Sequence, residues 1–309
     1  MSLLDLPLEV VDVVCGYLPV KDVLNLCSTC HKYSEARSCL LKYRDVWTKN
    51  EDVVALFSSW GLKRIHATCG HVRDISKLVG AYELILQNSN VEDVSKLGDV
   101  HTLNLSNTSV KDASALGRVH TLDLSHTKVS DASTLGGVHT LDLSWTKVTD
   151  ASKLGGVYAL NLSGTGVEDV SMLGKVHTLS LAGTKVMDTS ALGGVHTLDL
   201  TYAKVVDVSK LRDVYALYLV YTNVTDVSAL GGVHTLNLLG TRVVDVSMLG
   251  GVHDLDLRYT HVMDVSKLGG VHTLDLSHTP VEDVSMLGGV HALRMVHHGK
   301  ECIDSWRYR

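Results

Sequence analysis

The sequence repeats itself every 19 residues over most of its length, and this period limits the folds open to the chain. Adjacent units such as 120–138 and 139–157 are nearly identical. A degraded unit precedes the clear ones, and a partial unit follows from His291. A short fixed period predicts an array of stacked coils, because one unit cannot bury its apolar side chains alone. Clear units begin at Tyr82, His101, His120, His139, Tyr158, His177, His196, Tyr215, His234, His253 and His272.

Each unit contains a Leu-x-Leu pair that alternates with period two, as at Leu103 and Leu105. This alternation predicts a short strand with one buried face, and identical strands can stack in parallel from unit to unit. Apolar residues make up 45% of the chain, but Phe57 is its single phenylalanine. The core is therefore predicted to consist mainly of leucine and valine.

The unit resembles the leucine-rich repeat, whose conserved segment has the spacing LxxLxLxxNxL. Val100, Leu103, Leu105, Thr108 and Val110 occupy those places. The resemblance implies an α/β-type leucine-rich-repeat solenoid with a parallel β-sheet on its concave face. Only eight residues remain for the return path of each unit. Because this is too few for a full α-helix, we predict short 3₁₀-like turns on the convex face.

Three recurrent residues suggest how each unit turns. Thr replaces the family's usual Asn, as at Thr108, and its hydroxyl is predicted to bond backbone groups of the turn. An Asp such as Asp112 opens the return path and is predicted to cap the following turn. Gly follows the next Leu in ten of the eleven clear units, which predicts a backbone φ above zero at residues such as Gly136. Arg212 is the exception and predicts a local distortion.

Residues before about 62 do not repeat and have the pattern of short amphipathic helices, with Pro7 and Pro19 placed to begin two of them. The segment resembles the F-box in its Leu-Pro-x-Glu start, its Tyr-Leu-x-x-Lys-Asp centre and the Cys-His-x-Tyr that follows. The matching residues are Leu6, Pro7, Glu9, Val10, Tyr17, Leu18, Lys21, Asp22, Val23, Leu26, Cys30, Tyr33 and Trp47.

The F-box resemblance implies docking on the Skp-type adaptor of a cullin–RING ubiquitin ligase. A helical segment this small has a poor core of its own and gains from burying an apolar face on a partner. The alternative is an N-terminal cap over the first repeat, a role that residues 48–62 suit better. The predicted adaptor-binding residues are Leu6, Pro7, Val10, Leu18, Val23 and Leu24.

These patterns divide the chain into four parts. We predict an F-box-like α-helical segment at 1–47 and a helical connector or N-terminal cap at 48–62. The repeat array is predicted to span 63–295, and a C-terminal cap or tail to span 296–309.

Two patterns suggest metal or cofactor sites, but we predict none. Cys27, Cys30 and His31 match the haem-attachment string C-x-x-C-H, and Cys39 could complete a zinc set, yet no second CxxC or HxxxH pair accompanies them. The histidines that open the units would lie one strand spacing apart and point the same way, whereas a metal needs converging ligands. We therefore predict a structural ladder. No sequence motif of a catalytic site is present.

The overall charge also narrows the possible partners. The formal net charge is −6 without a long run of either sign, which argues against nucleic acid or an anionic membrane as the main partner. No apolar run approaches the roughly 20 residues of a membrane-spanning helix. Six cysteines without disulfide-scaffold density favour a reducing, cytoplasmic setting.

The strand residues that alternate with the buried leucines should face the concave side. In early repeats they are small and polar, as at Asn104 and Ser125, whereas later units carry aromatic, aliphatic and Arg side chains. Such residues on neighbouring strands predict a protein-binding patch; unconstrained drift is the alternative. The predicted partner-binding residues are Trp145, Tyr202, Tyr218, Val220, Tyr221, Leu239, Arg258 and Tyr259.

Together these features predict a protein-interaction module that is not an enzyme. We predict an F-box substrate receptor whose helices dock on the ligase adaptor while the solenoid presents an unknown target protein. The alternative is a structural or scaffolding solenoid whose helical head only caps it. The array with its F-box end is also similar to those encoded by giant viruses of amoebae, a resemblance that implies a viral protein in the host cytoplasm.

Overall fold

The computed structural model describes residues 46–48, 65–68, 78–79, 81–297 and 300–305. In this part of the chain, each 19-residue unit forms one coil of a solenoid. Its single sheet has fifteen strands that follow one another in chain order. Neighbouring strands pair in parallel, apart from the last pair, which is antiparallel.

The eleven strands from Glu83 to Asp275 are three residues long and recur once per coil. Five return paths contain a 3₁₀ turn, at Ser114–Leu116, Leu135–Gly137, Leu192–Gly194, Ser228–Leu230 and Ser285–Leu287. The strands are β1 (Val46–Thr48), β2 (Ile65–Thr68), β3 (Glu83–Ile85), β4 (Thr102–Asn104), β5 (Thr121–Asp123), β6 (Thr140–Asp142), β7 (Ala159–Asn161), β8 (Thr178–Ser180), β9 (Thr197–Asp199), β10 (Ala216–Tyr218), β11 (Thr235–Asn237), β12 (Asp254–Asp256), β13 (Thr273–Asp275), β14 (Ala292–His297) and β15 (Lys300–Ser305).

The sheet extends past the predicted ends of the repeat array, 63 and 295. At the N-terminal end, β1 pairs in parallel with β2, so strand pairing already begins at Val46. At the C-terminal end, β15 folds back antiparallel on β14. Residue 47 therefore lies in a strand, although the sequence analysis made it the last residue of a helical segment.

Equivalent residues of successive coils lie directly opposite one another in the sheet. Leu198, for example, pairs with Leu179 on one side and Leu217 on the other. These leucines belong to one apolar cluster that runs without a break from Leu78 to Met295. Leucine and valine provide nearly all of it, as the composition predicted, and burial of this continuous core is the main force that holds the coils together.

The predicted roles of Thr and Asp are confirmed in the described repeats. We number positions 1 to 19 from the His or Tyr that opens each unit. The position-8 hydroxyl, as in Thr184, donates to the carbonyl oxygen three residues earlier at 2.6 Å. The position-12 carboxylate, as in Asp188, accepts the backbone N–H of the Ser two residues later at 2.9 Å. Because these bonds stabilise the charged form, they lower the pKa of Asp188 below 3.8.

The predicted positive φ of the position-17 glycines is wrong. Gly117, Gly231 and Gly288 have φ values of −64°, −61° and −59°, which other residues adopt easily. Positive φ occurs instead at position 7, where Gly164, Gly183 and Gly240 lie between 66° and 68°.

Candidate functional site

An unbroken column of stacked rings runs along the solenoid from Tyr82 to His291. The ring centroids of neighbouring coils lie 4.4–4.8 Å apart, and the planes differ by 11–23°. This separation is close to the spacing of paired strands, so the rings stack as a direct result of the sheet. The structural ladder predicted from the sequence is confirmed.

Between His101 and His272, the residue that follows a ladder ring depends, in all but one coil, on whether the ring is His or Tyr. Thr follows His in seven coils, and its Oγ1 lies 3.2–3.3 Å from the imidazole Nδ1. Ala follows Tyr158 and Tyr215, whose phenol rings have no nitrogen in that place. The pairing of residue types therefore reflects a hydrogen bond that holds the imidazole in the stack.

The ladder predicts that acid weakens the fold. Burial lowers the pKa of His120, and charges on His101 and His139 would lower it further. A histidine whose pKa is lowered by folding stabilises the protein at pH values above the ordinary histidine pKa of about 6.5. That stability is lost as the pH falls below about 6.5 towards the lowered pKa. We expect the Tm to be at least about 2 °C lower at pH 5.5 than at pH 7.5, measured by thermal unfolding.

A ladder variant provides the control for this prediction. In His120→Tyr, the new ring can stack as Tyr158 does but cannot gain a proton in this range, so the acid-induced drop should be smaller. The position-12 aspartates remain ionised throughout, because hydrogen bonds to Ser hold the pKa of carboxylates such as Asp131 below 3.8. An equal Tm at pH 7.5 and 5.5 would contradict the prediction.

The residues predicted to bind a partner fall into two neighbouring columns. Tyr218, at position 4, and Val220, Leu239 and Arg258, at position 6, lie half-buried on the open face of the sheet. Val220, Leu239 and Arg258 are equivalent residues of consecutive coils. The structure therefore brings these four together, as the sequence analysis expected for alternating strand residues.

The other four members, all aromatic, lie elsewhere, in the turn that follows each strand. Trp145, Tyr202, Tyr221 and Tyr259 occupy position 7 and are 61%, 62%, 47% and 53% exposed. Tyr202 stacks on Tyr221 with ring centroids 5.1 Å apart, and Tyr259 stacks on His278 at 4.4 Å. The sequence analysis had placed these rings on the strand face. They are instead at position 7, one residue after the last residue of that face, position 6.

Glycine at position 7 makes room for two of these rings. A Cβ atom on Gly240 would lie 2.4 Å from the Tyr221 ring, and one on Gly164 would lie 2.7 Å from the Trp145 ring. Tyr202, Tyr221, Gly240 and Tyr259 thus form one strip beside the position-6 column. Trp145 stacks instead on His126 at 5.9 Å, three coils away from Tyr202, and forms a separate group.

The strip carries backbone strain that the sequence analysis missed. Its three tyrosines have φ values of 58°, 52° and 56°, in the left-handed region that costs L-residues roughly 1–2 kcal/mol each. Asn and Gly at the same position of other coils, such as Asn107 and Gly183, were the signal for this conformation. Position 7 is left-handed in other coils too, including those of Asn88, His126 and His278, so the conformation belongs to the repeat and the tyrosines adopt it at a cost.

The position-4 and position-6 residues also differ from those of earlier coils in what they bond. In β5, the Asp123 carboxylate accepts the backbone N–H of Ser125 at 2.9 Å, and similar bonds recur in most coils. Tyr218 cannot make this bond. Arg258 keeps this bond, since its backbone N–H donates to the Asp256 carboxylate at 3.0 Å, and its guanidinium adds two donors to the same carboxylate at 2.9 and 2.6 Å, so the guanidinium is partly occupied within the sheet.

Several predicted residues lie outside the described part of the chain. They are the adaptor-binding set Leu6, Pro7, Val10, Leu18, Val23 and Leu24 and the cysteine-rich motif Cys27, Cys30, His31 and Cys39. In the described residues, clefts between coils are open to solvent, and one of about 640 Å³ is lined by residues including Ser95, Arg118 and Thr134. No helix in those residues has the length and hydropathy needed to cross a bilayer.

Comparison with known proteins supports two parts of the architecture. Residues 3–42 match the family model described as the F-box domain. A search of curated proteins finds no significant match to the sequence. The F-box match covers the segment that contains all six predicted adaptor-binding residues, and it ends before β1.

Solved structures share the fold of the repeat array. An internalin (InlF) of Listeria monocytogenes superposes with a TM-score of 0.69 at 18% identity, over 87% of this chain and 89% of the internalin. A leucine-rich-repeat protein of Leptospira interrogans has a TM-score of 0.55 at 14% identity, over 84% and 97%. A chain of the mouse RP105/MD-1 complex has a TM-score of 0.60 at 18% identity, over 77% and 49%. The described repeats thus have the leucine-rich-repeat fold, and a segment that matches the F-box model precedes them.

Proposed function

We propose that the protein is a substrate receptor of a Skp–cullin–F-box ubiquitin ligase. The F-box match at residues 3–42 is the observation that carries this proposal. The N-terminal segment binds the Skp-type adaptor through Leu6, Pro7, Val10, Leu18, Val23 and Leu24. The solenoid binds a target protein, and other subunits of the ligase carry out ubiquitin transfer, in the cytoplasm, or in the host cytoplasm if the gene is viral.

The target is proposed to bind the strip of Tyr202, Tyr221 and Tyr259 together with the adjoining Tyr218, Val220, Leu239 and Arg258. Exposed tyrosines beside aliphatic side chains bury a large apolar area while their hydroxyls stay hydrogen-bonded, which suits a protein interface. The strip also spans consecutive coils, so one partner can contact all of it. Trp145 and His126 provide a second, separate contact.

Adaptor capture tests the proposal directly. The full-length chain, immobilised, should retain a purified Skp-type adaptor, and the double variant Leu6→Asp, Leu18→Asp should retain at least about tenfold less. The charged side chains would have to be buried without a partner in the interface. Equal retention by both proteins would contradict adaptor binding and favour a scaffold whose helices only cap the solenoid.

The repeat itself provides a matched control. In the triple variant Tyr202→Gly, Tyr221→Gly, Tyr259→Gly, each new residue already occurs at position 7 of other coils with positive φ, so the fold should be kept. This variant should bind the adaptor as the wild type does. Proteins that the wild type captures from lysate and the triple variant does not are the candidate targets.

A further inference from the structure

Between His101 and His272, one coil departs from the pairing of ladder His with Thr. Asp254 follows His253, whereas Thr follows the other ladder histidines from His101 to His272. The Asp254 carboxylate takes the place of the hydroxyl, with Oδ1 3.1 Å from Nδ1 of His253. The fold does not require this change, because Thr in the same place holds the neighbouring imidazoles equally well.

The carboxylate brings a third ligand to a stacked pair of imidazoles. The rings of His234 and His253 lie 4.5 Å apart with planes 13° from parallel. One ligand atom from each of His234, His253 and Asp254 lies within 4.8 Å of the others. The side chains of His253 and Asp254 are 45% and 39% exposed, so an ion can reach them from solvent.

We propose that His234, His253 and Asp254 form a zinc-binding site that bridges two adjacent coils. Imidazole nitrogen and carboxylate oxygen are the ligands that Zn²⁺ takes from such side chains, at about 2.0–2.2 Å. Ligand atoms around a tetrahedral Zn²⁺ at that distance lie about 3.4 Å apart, so closing the site needs movements of up to about 1.4 Å in its partly exposed side chains. Three protein ligands leave a fourth position for water.

The ladder histidines alone are poor metal ligands because they do not converge, and Asp254 removes this difficulty. Two parallel imidazoles point the same way and do not converge on one ion. The Asp254 side chain starts from the neighbouring position of the same coil and approaches from the side, which supplies the convergence. The other stacked His–His pairs that precede a Thr, such as His177 and His196, have only a hydroxyl there, and a neutral hydroxyl is a much weaker zinc ligand than a carboxylate.

Titration of the full-length chain with ZnCl₂, followed by isothermal calorimetry, tests the site. Asp254→Thr restores the residue pair of the neighbouring coils and should lose one equivalent of zinc or at least about tenfold in affinity for it. His253→Tyr, with a ring that the ladder accepts elsewhere, should show the same loss. Any zinc held by N-terminal cysteines is common to all three proteins and cancels in the comparison.

A gain-of-function variant completes the experiment. Thr197→Asp places a carboxylate beside His196 and the stacked His177, and should add one equivalent of zinc. Co²⁺ in place of zinc should show the absorption of nitrogen and oxygen ligands for the equivalent that Asp254→Thr removes. Unchanged stoichiometry and affinity in both loss variants would overturn the proposal, as would thiolate absorption for that equivalent. Because no F-box residue is involved, the result is independent of adaptor binding.

Discussion

Replacing Gly174 with alanine is expected to lower the free energy of unfolding by about 3 kcal/mol. A Cβ atom on Gly174 would lie 2.2 Å from the carbonyl oxygen of Ala191, in the next coil. Backbone atoms cannot rotate away as a side chain can, so the two coils would have to separate. Separation would in turn strain the sheet and the apolar core on either side of the contact.

Gly288 provides the matched control for this prediction. It has the same repeat position, but a Cβ atom there would meet no atom of the described residues within 4 Å, and its φ of −59° suits alanine. Gly288→Ala should leave stability unchanged or raise it by about 0.4–1 kcal/mol, since alanine restricts the unfolded chain. Urea unfolding of both variants measures the difference. Similar losses in the two would show that the backbone conformation, and not the contact between coils, requires glycine.

This contrast explains why the sequence predicted the glycines but not their cause. A recurrent Gly has two common physical meanings, positive φ and close backbone approach, and the sequence shows only its recurrence. The oxygen that excludes a Cβ from Gly174 belongs to a residue 17 places later. The distance between stacked coils decides which of the two meanings applies. The sequence of a single unit does not contain this distance.

The backbones of neighbouring coils lie further apart near Arg212, which fits the same explanation. A Cβ atom on Gly232 would lie 3.5 Å from the Arg212 carbonyl oxygen, whereas the same contact is 2.3–3.0 Å for glycines such as Gly137 and Gly289. The coil that carries a side chain at position 17 is thus less closely packed there. The local distortion predicted from the missing glycine agrees with this wider spacing.

The interior of the array was predictable because every coil repeats the same local rules. Period-two leucines predicted the strands, the length of the return path predicted the 3₁₀ turns, and Asp and Thr predicted the turn bonds. The ends were not predictable in this way. Val46 of β1 pairs with Ile65, 19 residues later, but the residues of β1 do not match the repeat pattern, and β15 pairs in the opposite direction, so neither strand carries the repeat signal in its sequence.

The candidate interaction surface was predicted in composition but only partly in position. Residues that alternate with buried leucines, such as Tyr218 and Leu239, lie on the strand face as expected. Tyr221 lies in the turn because its backbone is left-handed, a property that becomes visible only when position 7 is compared across all coils. Asp254 was missed because the sequence analysis treated the ladder histidines without the residues that follow them.

Leu198→Ala is expected to be about as damaging as the glycine change, with a loss of about 2–5 kcal/mol. Leu198 is completely buried and lies in the middle of the sheet, between Leu179 and Leu217. Truncation would leave a cavity between coils that cannot close, because the backbone spacing is set by the hydrogen bonds of the sheet. Thermal and urea unfolding measure the loss.

Leu293→Ala tests whether the position along the solenoid matters. Leu293 is the equivalent residue of β14, but it is only partly buried at the end of the core, so its truncation should cost less than half as much. Because each coil contacts only its neighbours, the Leu198 variant should also unfold less cooperatively, with faster hydrogen exchange in β8, β9 and β10 than in the wild type. Equal losses for the two variants would mean that the array unfolds without regard to local packing. A larger loss of unfolding free energy in the Leu198 variant would instead show that the coils beneath the tyrosine strip contribute most to stability. A binding surface needs such a rigid support.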